Sequence, residues 1–348
     1  MTTSNPNTQG KPDVHLPVRP DWLALHNEPV LEPELEIVDP HHHLWDRPGA
    51  RYLLAELLED TGSGHNILST VFMQCQAMYR ASGPQEMRVV GEIEFINGIA
   101  AAAASGHYGP TQACAGIVGH ADLTLGDRVE EVLLAQVAAG NGRFRGIRHI
   151  TAWDPDPTFL NPRSAAPQGL MADRKFRQGY ARLAKLGLSF DAWLFHTQLG
   201  EFADLVDSAP DATVILDHAG GPIGRGKYHD KRQETFKVWE KSIREVARRE
   251  NVIVKLGGLS MRINGFDFEQ AAMPPSSAQV ADAWRPYIET CIDAFGTERC
   301  MFESNFPVDK GSQSYVVLWN AFKRLAAKAT DTEKANLFRR TAERVYRL

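Results

Sequence analysis

The sequence predicts an α/β fold, a single (β/α)8 or TIM barrel, and three observations lead there. Eight short apolar runs recur along the chain, with helical patterns between them. Long links follow several runs, whereas the links from helix back to run are short, as in a barrel whose site lies at one rim. Histidines stand at the ends of several runs, where such a rim would gather them.

Residues 1–35 are rich in Pro, Asn and Thr and carry one apolar cluster, Trp22, Leu23 and Leu25. They read as an arm lying across a body formed by residues 36–348, and the cluster is a candidate contact for a homo-oligomer. The eight runs are 36–43, 68–75, 114–120, 144–150, 188–195, 213–218, 252–257 and 300–305. Several are continuously apolar, as parallel strands covered on both faces should be. Between them, Val129, Val132, Leu133 and Val137 fall on one helical stripe. Phe176, Tyr180, Leu183 and Leu186 form a second, and Val280, Trp284, Ile288, Cys291 and Phe295 a third. Gly187 and Gly296 follow two of these stripes, where a helix C-terminus favours glycine. The long links run from Asp154 to Ala172, Gly220 to His229 and Ser260 to Ala278. A doubly wound sheet alternates in the same way, but no G-x-G-x-x-G or P-loop follows the first run.

Composition narrows the function. The 348 residues are 43% hydrophobic and 23% charged with a net charge of -5, an ordinary globular balance. No basic run points to nucleic acid, and no apolar run approaches the roughly 18 residues of a membrane span. Residues 1–9 show no secretory pattern. Cys75, Cys114, Cys291 and Cys300 form no C-x-x-C pair, and Cys75 and Cys114 read as buried free thiols. A cytoplasmic location is expected.

The chain is organised around Ile37-Val38-Asp39-Pro40-His41-His42-His43-Leu44-Trp45-Asp46. Side chains alternate along a strand, so His41 and His43 share one face and His42 takes the other. Two neutral imidazoles so placed can ligate one cation. His196 follows the fifth run, and His218 ends the sixth, ahead of the Gly220-Gly221-Pro222 turn. Arg148 and Arg145 on the fourth run are candidate carboxylate anchors, and period two allows only one of them to face the rim. Tyr79-Arg80, past the second run, and Trp45 are candidates for substrate contact. Each residue alone could be a satisfied core polar group, and for either arginine a salt bridge to a neighbouring strand or loop is an equal alternative. Four histidines at three run ends carry the functional argument.

Val38 to Asp46, Leu216-Asp217-His218-Ala219-Gly220 and Phe302-Glu303-Ser304-Asn305-Phe306-Pro307 together resemble the amidohydrolase superfamily. The branch is the amidohydrolase-related TIM-barrel group of lactonases and decarboxylases, and the resemblance covers about residues 36–348. It implies that His41 and His43 bind a divalent metal or, in metal-free lactonases, polarise a carbonyl. It aligns His218, and less closely His196, with further histidines of the site, and Arg148 with an arginine that holds a substrate carboxylate. No lysine or glutamate stands at the fourth-strand position that bridges two metals, which favours one metal or none. The departure is at the last strand, where Asn305 replaces the expected Asp; an amide accepts no proton at neutral pH.

The expectation is a metal-dependent hydrolase that opens a lactone or related cyclic ester carrying a carboxylate. His41 and His43, with His196 or His218, would hold zinc or, as second choice, manganese. Arg148 would orient the acid, and His218 or Asp309 would take the proton from water. The alternatives are a non-oxidative decarboxylase of an aromatic or unsaturated acid, and a binding protein that lost catalysis at Asn305.

Overall fold

The computed structural model describes residues 15–161 and 163–348. Eight parallel strands build the barrel: β1 (Glu36–His42), β4 (Asn66–Met73), β5 (Gln112–Gly119), β6 (Phe144–Arg148), β7 (Ser189–Ala192), β8 (Val214–Leu216), β9 (Val252–Leu256) and β10 (Cys300–Phe302). They pair in sequence order from β1 to β10. The ring closes past the end of β10, where Asn305 N donates to His41 O at 2.9 Å and His43 N to Phe306 O at 2.7 Å. Every expected run therefore became a strand, most of them ending two to three residues early.

The helical stripes behave as expected except at Val137 and at Leu186, which is half-buried just past the end of its helix. Val280, Trp284, Ile288, Cys291 and Phe295 are all buried on the helix Ser277–Phe295. The helix Arg174–Lys185 buries Phe176, Tyr180 and Leu183. Val129, Val132 and Leu133 are buried on Val129–Ala139, but Val137 is 40% exposed and its neighbour Gln136 takes the buried position at that turn. Gly187 and Gly296 have φ of 64° and 75°, the left-handed region that an L side chain would strain. All four cysteines are free and buried. Among the described residues no helix is long and apolar enough to cross a membrane.

Two features position the site. A hairpin of β2 (Trp45–Arg47) and β3 (Ala50–Tyr52), not foreseen in the sequence, directly follows the histidine triplet. The described part of the arm lies on the barrel: Leu16 packs on Gly311 and Trp22 Nε1 donates to Ala271 O at 3.1 Å. Trp22 and Leu23 are thus buried within their own chain, while Leu25 is 56% exposed. At the opposite end the terminal helix Thr341–Tyr346 sends buried Tyr346 into the barrel floor.

Candidate active site

Strand alternation sorts the three histidines as expected. His42 points out of the barrel, with Nε2 2.8 Å from Thr70 Oγ1, and burial holds its pKa down to about 3. His41 and His43 face inward with ring centroids 5.0 Å apart. His218 joins them, its ring 4.6 Å from that of His41. Ligand atoms of His41, Asp217 and His218 lie within 4.8 Å of one another. Three imidazoles from two strand ends thus share one centre.

The backbone is bent to achieve this. His218 and Asn305 both have positive φ, 55° and 54°, a conformation uncommon for histidine and held only where the surroundings enforce it. Gly257 and Gly258, just past β9, provide the room. A Cβ at Gly258 would lie 2.1 Å from His218 Nδ1, and one at Gly257 would lie 2.5 Å from Glu303 Cγ.

Glu303, fully buried after β10, ties the centre together. Its Oε1 accepts from His218 Nδ1 at 2.7 Å, and its Oε2 lies 2.7 Å from His41 Nδ1. His41 also has Lys255 Nζ 3.3 Å from Nδ1 and Arg148 Nη1 3.3 Å from Nε2. Arg148 is always a donor, so Nε2 accepts and the proton sits on Nδ1, toward the carboxylate. Burial and then Lys255 hold the pKa of His41 well below the ordinary imidazole value, so the ring is neutral.

His43 Nδ1 lies 2.8 Å from the Met73 carbonyl oxygen and must carry the proton, which leaves a lone pair on Nε2. That lone pair faces Asn305 Oδ1 at 3.3 Å. Asn305 cannot turn its amide nitrogen inward, because Nδ2 donates to Asp309 Oδ1 at 2.9 Å. Two acceptors pointed at each other are unfavourable unless a cation stands between them. Asp217, fully buried, has no hydrogen bond to either carboxylate oxygen, a second mark of a site built for positive charge.

The cavity above these groups measures about 80 Å3. Its walls include His43, His218, Asn305, Trp45 and Trp193. Trp45 stacks on His43 with centroids 5.6 Å apart, and His15 of the arm also stacks on Trp45, at 5.9 Å. Arg47, Arg148 and Arg163 also line the cavity, and among the described residues no carboxylate does. Arg148 is 5% exposed, with Nε donating to Gln74 Oε1 at 3.2 Å and Nη2 to Gln74 O.

Other sequence candidates lie elsewhere. His196 is held by Ile223 N, which donates to its Nδ1 at 3.2 Å, and its ring packs on Tyr228. It does not line the cavity and is not among the converging groups. Tyr79 lines a neighbouring groove of about 860 Å3, and Arg80 pairs with Glu94 on the surface. Arg145 points to the far end of the barrel, where it donates to Gly142 O and Arg347 O, so Arg148 alone of the pair reaches the rim. Asp309 is fully buried behind Asn305 with Ser260 N donating to Oδ2 at 3.1 Å, and burial pushes its pKa up to about 7.

Sequence reasoning passed over Lys255 and Asp191 and gave Glu303 no role. The signal was present: a charge inside Val252-Ile253-Val254-Lys255-Leu256 cannot be buried without partners.

Residues 38–348 match the family profile described as Amidohydrolase. The chain is 31% identical over 339 residues to a protein of Sinorhizobium fredii called y4mH, covering 90% of this chain and 99% of that one. It is 24% identical over 321 residues to the L-fucono-1,5-lactonase of Burkholderia multivorans, covering 89% and 96%. Among solved structures, an amidohydrolase from Burkholderia multivorans with bound zinc superposes with a TM-score of 0.69 at 22% identity, covering 90% of this chain and 99% of that one.

Proposed function

Since the chain belongs to the amidohydrolase family, we propose that it is a metal-dependent hydrolase opening a lactone or related cyclic ester that carries a carboxylate. One observation carries the reading: the cavity has imidazoles and Asn305 for its floor, and among the described residues its walls carry guanidinium groups and no carboxylate. Such a lining favours an anionic substrate over a neutral or cationic one. The lactonase among the relatives and the zinc in a structural neighbour support the chemistry.

The residues fit a divalent metal. His43 Nε2 and Asn305 Oδ1 would hold it, because they already face each other as paired acceptors, and His41 would join them through Nε2 on giving up its contact with Arg148. Neutral imidazoles favour zinc, with manganese as second choice. Once bound, such an ion polarises an ester carbonyl and makes water more acidic. His196, turned toward Tyr228, is left out of the ligand set.

His218 is the proton acceptor in this reading. Glu303 holds its Nδ1–H, so Nε2 offers a lone pair toward the cavity, and Trp193 fixes the ring edgewise at 4.7 Å. Water attacks the carbonyl carbon, His218 takes its proton, and the same proton passes to the ring oxygen as the carbon–oxygen bond breaks. Asp309 is the weaker candidate for the base, because the Asn305 amide stands between it and His43. Its task is to keep that amide turned with Oδ1 inward. Arg148, whose donors are engaged by Gln74 and His41, contributes charge, while Arg47 and Arg163 complete the grip on the carboxylate.

Ring opening releases acid and no carbon dioxide. The test presents a six-membered lactone carboxylate and an aromatic hydroxy acid to the enzyme, following base uptake and carbon dioxide separately. Acid release from the lactone supports the proposal. Carbon dioxide from the aromatic acid instead transfers the site to decarboxylation.

A further inference from the structure

Below the cavity, inside the barrel, lies a cluster of buried charges that the hydrolytic scheme does not use. Lys255 Nζ on β9 is 2.8 Å from Asp191 Oδ1 on β7, 3.2 Å from Asp217 Oδ1 after β8 and 3.3 Å from His41 Nδ1. All four side chains are fully buried. From beneath, Tyr346 of the terminal helix donates to the same Asp191 oxygen at 2.5 Å. The ammonium thus sits among two carboxylates and an imidazole from three strands, the surroundings a metal ion takes.

We propose that Lys255 is a cation built into the barrel, occupying a place that a second metal would otherwise fill and limiting the site to one divalent ion. The inference rests on the metal-dependent reading given above.

Position decides the number. Lys255 Nζ already stands within 3.3 Å of Asp191, Asp217 and His41, the three side chains from which a second ion would have to draw its donors. An ammonium and a divalent ion so close together in a region closed to water would repel strongly, so the lysine and a second ion exclude each other. Removing the ammonium leaves the two carboxylates without their cation and opens that place. Lys255 and Arg148 approach the two oxygens of Asp217 at 3.2 and 3.7 Å, and neither oxygen has a hydrogen bond.

The experiment measures metal per chain. Full-length protein, Lys255→Met and Lys255→Arg are equilibrated with zinc, desalted and assayed by elemental mass spectrometry. The expected ratios are one, two and one. Two ions in the parent, or one in both the parent and a folded Lys255→Met, overturns the proposal. Because Lys255→Met uncovers two carboxylates and can unfold, the parent is also loaded with excess manganese and its electron paramagnetic resonance recorded. An isolated-ion sextet at every ratio supports the proposal, and an exchange-coupled spectrum overturns it. A parent that binds no metal while Lys255→Met binds one ends the metal-dependent reading but upholds Lys255 as the resident cation. No metal in either overturns both.

Discussion

Glu303 serves two imidazoles with one carboxylate, and this sharing fixes which nitrogen of His218 is free to take a proton. Replacing His218 by alanine should lower kcat by about 10²- to 10⁴-fold, the usual contribution of a positioned acid–base group. Glu303→Gln should cost less, roughly 10- to 100-fold, since it loosens the ring without removing it. Circular dichroism unchanged from the parent, with kcat lost in that order, is the expected result; equal activity in both variants would remove His218 from the chemistry. The histidines were legible in the sequence because polar groups at the ends of apolar runs must find a use at the rim. Glu303 was not, because nothing in Phe302-Glu303-Ser304 says that a buried carboxylate turns toward a histidine 85 positions earlier. Asn305 offers no base, but its amide, held by Asp309, turns an acceptor toward His43.

Elements, more than single side chains, set the precision of the site. Gly258 has φ +63° and leaves no space for a Cβ beside His218. Gly258→Ala should therefore depress kcat through His218 and cost about 1–3 kcal/mol of stability, readable by steady-state kinetics and thermal unfolding on one preparation. The loop after β4, which carries Gln74 and Cys75 into the cavity wall, hangs on Glu92. Its Oε1 accepts from Cys75 N at 3.1 Å and Ala77 N at 2.7 Å, while Oε2 has no partner. Burial raises its pKa from 4.5 to about 7, so between these values the folded chain keeps a proton that the unfolded chain has released. Stability from this group is therefore lost as pH rises from about 4.5 to about 7. Glu92→Gln keeps an acceptor for both amides and abolishes that slope. Urea unfolding at pH 4.5 and pH 8 should show the variant gaining on the parent by on the order of 3 kcal/mol at the higher pH; a constant difference would mean that Glu92 is ionised throughout. Period and turn chemistry exposed the strands and the long helices, but not the β2–β3 hairpin, whose three-residue strands are too short to show alternation.

At the scale of the whole molecule, eight apolar runs and the asymmetry of their links were enough to specify the barrel, because parallel strands must be covered on both faces. Its interior was not readable. Lys255, Asp191 and Tyr346 lie on β9, β7 and the terminal helix, and only ring closure brings them together. Nor does the sequence show that His15 stacks on Trp45 at the cavity or that Leu16 seats on Gly311.

The central claim is that imidazoles carried by β1 and by the turn after β8 form a hydrolytic site that works through a bound metal. The most direct test follows ring opening of a lactone carboxylate by one preparation before chelation, after metal removal, and after zinc or manganese is returned. Activity should vanish with the metal and come back with it. A preparation shown to be free of metal that still opens the lactone at its original rate would contradict the account.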